Sequence, residues 1–115
     1  MKQQLLQISQ LAKSYRLGSK HIPVLERLSL SVNPQEMVVI MGPSGSGKTT
    51  LLNCVSGIDL PDSGDVRLSG RAIDYTSEQE RTRLRRNHVG MVFQFFNLIP
   101  TLTVEENVRL PLLIA

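Results

Sequence analysis

The sequence is short of the features that staple or anchor a chain. It holds one cysteine, Cys54, in 115 residues, so no intramolecular disulfide can form, and a lone thiol suits a reducing cytoplasm. Its longest apolar runs are Met37 to Met41 and Leu110 to Ala115, the latter containing Pro111. Both fall far below the ~20 residues a membrane-spanning helix needs. Met1 and Lys2 imitate the start of a signal peptide, but Gln3, Gln4, Gln7 and Gln10 break any apolar stretch behind them, which argues against export. There is no internal repeat and no low-complexity tract. The net charge of +3 is mild and by itself dictates no polyanionic partner.

What remains is ordinary globular composition. With 41% apolar residues, a chain of this length can bury a core without metal or disulfide, so folding alone demands no cofactor. The one local excess of charge is Arg81, Arg83, Arg85 and Arg86, preceded by Glu78 and Glu80. That pattern reads as the solvated face of a helix with charge pairs along it, and the alternative is a contact surface for nucleic-acid phosphates.

Leu28, Leu30 and Val32 alternate with Arg27, Ser29 and Ser31, which predicts a half-buried strand across 24–32; 3–13 reads as a second strand. Gly18, Ser19 and Lys20 mark the turn between them, giving an antiparallel start, and Asn33, Pro34 and Gln35 mark the next break. Met37 to Met41 is a continuous apolar run, the pattern of a strand covered on both faces in a parallel sheet, and Val89 to Phe93 repeats it. Leu51, Leu52 and Val55 show helical spacing after a glycine-rich loop, with Gly57 and Pro61 as the stop. Asp65 to Leu68 reads as a short strand. Ser77 with Glu80, and Thr103 with Glu106, are capping pairs that open two helices, the second running toward Leu110 and Pro111.

Gly42, Pro43, Ser44, Gly45, Ser46, Gly47, Lys48 and Thr49 satisfy the phosphate-loop pattern: two glycines five apart, then lysine, then a hydroxyl residue. A triphosphate needs many donors at once, so the backbone must curl until successive N–H groups converge on its oxygens. Gly42, Gly45 and Gly47 remove the Cβ atoms that would block that approach, and the following helix points its positive end at the anion. Lys48 supplies a point charge for the β and γ phosphates, and the Thr49 hydroxyl can ligate Mg2+. Ser44, Ser46 and Thr50 add further donors. The loop assigns ATP and Mg2+ as ligands.

An antiparallel section containing Tyr15 before this loop, and Gln94 at a strand end after it, make the chain resemble an ATP-binding cassette (ABC) transporter ATPase, from about Gln4 to the last residue. The resemblance implies an α/β phosphate-loop core, a parallel sheet with helices, plus an N-terminal antiparallel β subdomain. In that family the aromatic matched by Tyr15 stacks on the base, Val24 packs beside base or ribose, and the glutamine matched by Gln94 reaches Mg2+ and senses the membrane partner. The segment from Phe95 to Pro100 would meet a transmembrane permease subunit. The stretch Val92 to Pro100, then Glu106, Asn107, Val108 and Leu110 to Leu113, is similar to the lipoprotein-release and macrolide-export subgroup.

The family reading divides the chain into an antiparallel section, 1–35; a phosphate-loop core through Gln94, 36–94; and the start of a helical subdomain, 95–115. The apolar ending Leu112, Leu113, Ile114 and Ala115 suggests the front portion of a longer protein. The family's signature motif, Walker B aspartate, catalytic glutamate and switch histidine would lie downstream, so this portion is expected to be inactive alone. The intact protein would be an ATP hydrolase at the inner face of the membrane. It would pair head to tail with a second copy and drive export, with no nucleic acid involved. Rival readings are a nucleic-acid-linked phosphate-loop ATPase and a non-catalytic interaction fragment. Glu105 and Glu106 read as capping and surface residues, His21 and His88 as uninvolved in catalysis, and Cys54 as a buried inert thiol.

Overall fold

The computed structural model describes residues 4–92 and 98–114, with the side chains at 113 and 114 left aside. Two long strands open it: β1 (Leu6–Leu17) and β2 (Lys20–Val32). They form a hairpin whose turn is carried by Gly18 at φ +66°, and Leu6 pairs with Val32 while Leu17 pairs with Lys20. The α1 helix (Lys48–Val55) follows the glycine-rich loop. Next come β3 (Ser63–Leu68) and the two-residue β4 (Arg71–Ala72), then α2 (Glu78–Asn87) and α3 (Val104–Ile114). The strands make one antiparallel sheet in the order β2-β1-β3-β4. The fold is α/β with an antiparallel β subdomain, to which β3 and β4 belong as well as the opening hairpin.

The core forms where α1 lies on the sheet. Ile8 and Leu11 of β1, Leu25 of β2, Val66 of β3, and Leu51 and Cys54 of α1 are its buried apolar residues, with Leu6, Leu28, Leu30, Val55, Ile73 and Tyr75 packed around them. Tyr75 donates its hydroxyl to the Cys54 carbonyl at 2.7 Å, which satisfies the polar end of a ring otherwise set among apolar groups. Burial pushes the Cys54 thiol up to about 11, so it is a protonated, inert core residue.

Both long strands are bent by residues with positive φ, Gln10 (+52°) and Arg27 (+50°). The β1 register against both neighbours shifts across the Gln10 region. The bulge leaves the Gln10 amide to donate to Ser29 Oγ at 3.0 Å, and it drives the β1 backbone toward β3. The contact falls on Gly64, at φ +100°, where a Cβ would stand 2.5 Å from the Gln10 carbonyl oxygen and 2.6 Å from Leu11 Cα. A bulge on one strand thus demands a glycine on the next.

Two sequence expectations are corrected. Met37 to Met41 forms no strand, and its side chains are exposed, Met37 by 90% and Met41 by 86%. Of the expected strand at Val89 to Phe93, residues 89–92 are likewise unpaired and Phe93 lies outside the described residues. The physical reason is common to both. A strand of the buried type exists only with a hydrogen-bonded neighbour, and no described residue pairs with either run, so no parallel sheet forms among the described residues. In addition, α3 continues past Pro111 to Ile114. Proline removes one backbone donor there but leaves the remaining turns intact.

The helix starts follow the capping chemistry. Ser77 Oγ accepts from the Glu80 amide at 3.2 Å. At α3, Thr103 Oγ1 accepts from the Glu106 amide at 3.1 Å and Glu106 Oε1 accepts from the Thr103 amide at 2.9 Å. That reciprocal pair makes Glu106 a cap, and Glu105 pairs with Arg109 at 3.0 Å.

The demand for glycine at 64 can be tested against a second glycine of positive φ, Gly18 at +66° beside Gly64 at +100°. Gly64→Ala meets backbone, whereas Gly18 at φ +66° has nothing within 4 Å of its Cβ position. Gly18→Ala should cost about 1–2 kcal/mol for left-handed strain alone, and Gly64→Ala clearly more. Urea unfolding midpoints of the two variants measure the difference.

Candidate nucleotide-binding site

Met41 leads into a loop that curls back on itself before α1. The Ser46 amide donates to the Pro43 carbonyl at 3.2 Å, and Gly45 and Gly47 take φ of +81° and +98°. Gly42 lies so near Ser46 that a Cβ there would come within 2.8 Å of Ser46 Oγ. Gly47 is the N-cap of α1, and its Cβ position would meet Val24 Cγ1 at 2.9 Å and the Val24 carbonyl at 3.2 Å. Glycine is needed at 47 for two reasons at once, the left-handed backbone and the wall made by Val24.

The start of α1 contrasts with those of the other helices. The first intrahelical bond runs from the Leu51 amide to the Gly47 carbonyl at 2.9 Å, leaving the amides of Lys48, Thr49 and Thr50 without an intrahelical partner. No side chain caps them, and the first turn of α1 has no acidic residue. By contrast α2 and α3 each begin with two glutamates. Among the described residues, only α1 presents a helix start with bare donors and an uncompensated positive dipole end.

Lys48 closes the loop from inside. Its ammonium donates to the Gly42 carbonyl, to the Pro43 carbonyl at 2.8 Å and to Ser46 Oγ at 3.4 Å. The cation is thereby held at the mouth of the helix, with Thr49 exposed and Thr50 half-buried on the first turn. The arrangement can take an anion of several oxygens, because main-chain donors and one positive charge meet at a helix start whose first turn holds no acidic residue. A Mg2+ ion fits this donor set only as a partner of the bound phosphates, through the Thr49 hydroxyl. Among the described residues there is no cluster of three His, Cys, Asp or Glu able to hold a metal alone.

Tyr15 sits near the end of β1, opposite Ile22, and is exposed by 40%. Its hydroxyl donates to Asp59 Oδ2 at 2.6 Å, and the Lys13 ammonium lies 5.1 Å from the ring centroid. The Asp59 carboxylate raises the Tyr15 phenol above its ordinary value, while the Thr50 hydroxyl pulls the other way. Tyr15 is thus tied to the helix that begins at the phosphate loop. Val24 is placed against Gly47, and Gln94 lies outside the described residues.

Sequence reasoning missed the latch behind this site. Lys13 Nζ donates to the Leu60 carbonyl at 2.6 Å and pairs with Asp59 Oδ1 at 3.3 Å. Ser14 gives both its amide (2.8 Å) and its hydroxyl (2.7 Å) to Asp62 Oδ2. These bonds fasten the end of β1 to the segment leaving α1. The arginine cluster serves the same helix: Arg85 and Arg81 donate to the Gly57 carbonyl at 2.8 and 3.4 Å, beyond the C-terminal end of α1, where positive charge is favoured.

Comparison with known proteins settles the class. Residues 25–113 match the family described as ABC transporter. This chain belongs to that family. It is 44% identical over 110 residues to the lipoprotein-releasing system ATP-binding protein LolD of Pseudomonas fluorescens, covering 96% of this chain and 48% of LolD. It is also 44% identical over 108 residues to the macrolide export ATP-binding/permease protein MacB of Syntrophobacter fumaroxidans, covering 94% of this chain and 15% of MacB. Among solved structures it superimposes with a TM-score of 0.89 on an ATP-binding cassette of Methanocaldococcus jannaschii, a dimer in a post-hydrolysis state bound to ADP and Pi. That pair is 41% identical and covers 95% of this chain and 47% of the other. The chain spans less than half the length of the curated relatives it matches. Among the described residues no helix is long and apolar enough to cross a membrane.

The latch carboxylates set a pH limit. Burial works against the charged form of Asp59, but hydrogen bonds from Tyr15, the Leu60 amide and Lys13 outweigh it and hold its pKa below the usual range. The Ser14 hydroxyl, then its amide, do the same for Asp62. Groups with depressed folded pKa values contribute in full above their unfolded value of about 3.9 and lose that contribution as pH falls through the folded value. Thermal midpoints should therefore hold from pH 7 to about 5 and fall below about 4, less steeply in Asp62→Asn than in wild type.

Proposed function

We propose that this chain holds Mg-ATP for a membrane transporter and, in the whole protein, couples ATP binding and hydrolysis to export, in the branch of lipoprotein release or macrolide efflux. The observation that carries the reading is the uncapped start of α1 with the Lys48 ammonium seated inside a glycine-built loop. The names of LolD and MacB favour the export branch.

In this reading the amides of Gly45 and of Gly47 to Thr50 receive the β and γ phosphates, and Gly42 and Pro43 shape the turn that the Ser46 amide closes. Ser44 and Ser46 add donors at the rim. Lys48 exchanges carbonyl oxygens for phosphate oxygens, Thr49 ligates Mg2+ with Gln94 as the second ligand, and Tyr15 stacks on the base beside Val24. The metal supplies charge neutralisation for the triphosphate. These residues position and stabilise the group to be transferred, which is most of what phosphoryl transfer asks of a protein. The remaining catalytic groups belong to parts of the family cassette outside this chain, so the 115-residue portion alone would be inactive.

Dimerisation with a second copy, head to tail, is supported by the dimeric M. jannaschii cassette. Leu98 and Ile99 are apolar and exposed, by 63% and 40%, which suits the approach of a permease subunit at the inner membrane face; Phe95 and Phe96 lie outside the described residues. The fold region after Gln94 would begin the helical subdomain. Two of the four clustered arginines, Arg81 and Arg85, are engaged on the Gly57 carbonyl, which supports the transporter reading over a nucleic-acid-linked ATPase.

Two measurements test this. Lys48→Ala should abolish detectable ATP binding in calorimetry, since no nearby cation can replace its charge; retained affinity would reject the loop. Tyr15→Ala should weaken ATP and GTP to a similar extent, about tenfold, because stacking reads a ring face and is worth ~1–3 kcal/mol. Loss confined to one base would mean recognition by hydrogen bonds.

A further inference from the structure

The Tyr15 ring presents a puzzle of order. It is 40% exposed and stands outside the apolar core, so the core does not set its orientation. What fixes it is polar and comes from both ends. The phenol donates to Asp59 Oδ2 at 2.6 Å, and Lys13 Nζ is poised 5.1 Å from the ring centroid, within the range at which a cation is attracted to an aromatic face.

Both restraints converge on one carboxylate. Asp59 Oδ1 pairs with Lys13 at 3.3 Å and accepts the Leu60 amide at 2.9 Å, while Oδ2 takes the phenol. Lys13 is further pinned by the Leu60 carbonyl at 2.6 Å. Asp59 is in turn fixed to the helix of the phosphate loop, since its amide and that of Ile58 donate to the Asn53 carbonyl at 3.1 and 2.9 Å. The chain of contacts runs from α1, through the wrap at its C-terminal end, to a carboxylate, and from there to the exposed ring.

We infer that Asp59, acting with Lys13, is a positioning residue for the nucleobase: it holds the Tyr15 ring in its receiving orientation and references that ring to the helix that grips the phosphates. An unrestrained tyrosine would lose rotamer freedom when a base stacked on it. A ring ordered beforehand does not incur that loss on binding, which is the general gain of preorganisation. With the Lys13 ammonium over one face, the base takes the other. The inference rests on the proposed nucleotide site and adds to it a residue that does not touch the ligand.

The test separates the base from the phosphates. ATP and inorganic tripolyphosphate are titrated into the full protein as wild type, Asp59→Ala, Asp59→Asn, Tyr15→Phe, and the Asp59→Ala/Tyr15→Phe double variant. Asp59→Ala and Tyr15→Phe should each weaken ATP about three- to tenfold, the affinity that ordering one side chain costs. The double variant should be no worse than Asp59→Ala alone, because that change already takes away the acceptor of the phenol. Asp59→Asn, whose amide oxygen can still accept the phenol, should recover most of the loss, and tripolyphosphate should bind all five proteins alike. Unchanged ATP affinity in Asp59→Ala and Tyr15→Phe overturns the inference, as does an equal loss for ATP and tripolyphosphate, which would make Asp59 a brace for α1. If Asp59→Ala fails to fold, Tyr15→Phe decides, since it keeps the ring and removes only the donor. Wild-type protein that binds neither ligand brings down the nucleotide site itself, and this inference with it.

Discussion

The close approach of Gly47 to Val24 is the constraint from which the rest of the site follows. With a Cβ position only 2.9 Å from Val24 Cγ1, residue 47 can be nothing but glycine, and its φ of +98° turns the chain sharply out of the loop and into α1. The helix axis is therefore aimed from a point fixed on β2. Leu51 and Cys54, on the inner side of that helix, then bury against Ile8, Leu11, Leu25 and Val66, and burial of such side chains, ~1.5–3 kcal/mol each, keeps the helix where the turn has put it. A short helix of eight residues would not persist alone in water. Its bare N-terminus stays available for a ligand because its stability comes from the sheet.

That division of labour explains the asymmetry of capping. At α2 and α3 a hydroxyl and glutamates compensate the first turn, and those ends are closed to anions. At α1 the N-cap is glycine, which lends no side-chain acceptor to the first amides and gives up only about a few tenths of a kcal/mol relative to serine or threonine. The compensation comes from elsewhere: the core on one face, and Arg81 and Arg85 on the carbonyl that follows the opposite end. The arginine run, which reads in the sequence as a solvated helix face, also braces, through Arg81 and Arg85, the far end of the helix whose near end carries the site.

Local grammar made much of this legible. The hairpin, the helix after the loop, both capping pairs and the curled glycine-rich loop are short-range patterns, each set by residues within a few positions of one another, and the structure contains them all. The antiparallel subdomain was legible for the same reason at its hairpin. What escaped reading was long-range. The run Met37 to Met41 has the composition of a buried strand, yet composition cannot supply a neighbour, and without one among the described residues the run is exposed. The bond from Tyr15 to Asp59 and that from Ser14 to Asp62 join β1 to a segment more than forty positions away, and no periodicity signals them. Asn107 is a similar case. Its side chain accepts from the Ile99 amide at 2.9 Å and donates to the Thr103 carbonyl at 2.9 Å, fixing the approach to α3 by a bond that only the folded turn reveals.

The state of Lys48 completes the physical account. An ammonium has three donors, and in this structure the Gly42 and Pro43 carbonyls and the Ser46 hydroxyl are there to meet them. In the proposed reading, an arriving polyphosphate would find a lysine that is already ordered, in a loop that the same bonds keep curled. Binding would then be an exchange, in which neutral acceptors are replaced by charged oxygens that make shorter and stronger bonds to the same cation. Because the carbonyls released are themselves exposed, in a loop open to water, they are not left buried and unsatisfied, and the exchange escapes the penalty that usually attends breaking an internal bond. The loop thus keeps its shape without the ligand, using a contact that the ligand can replace.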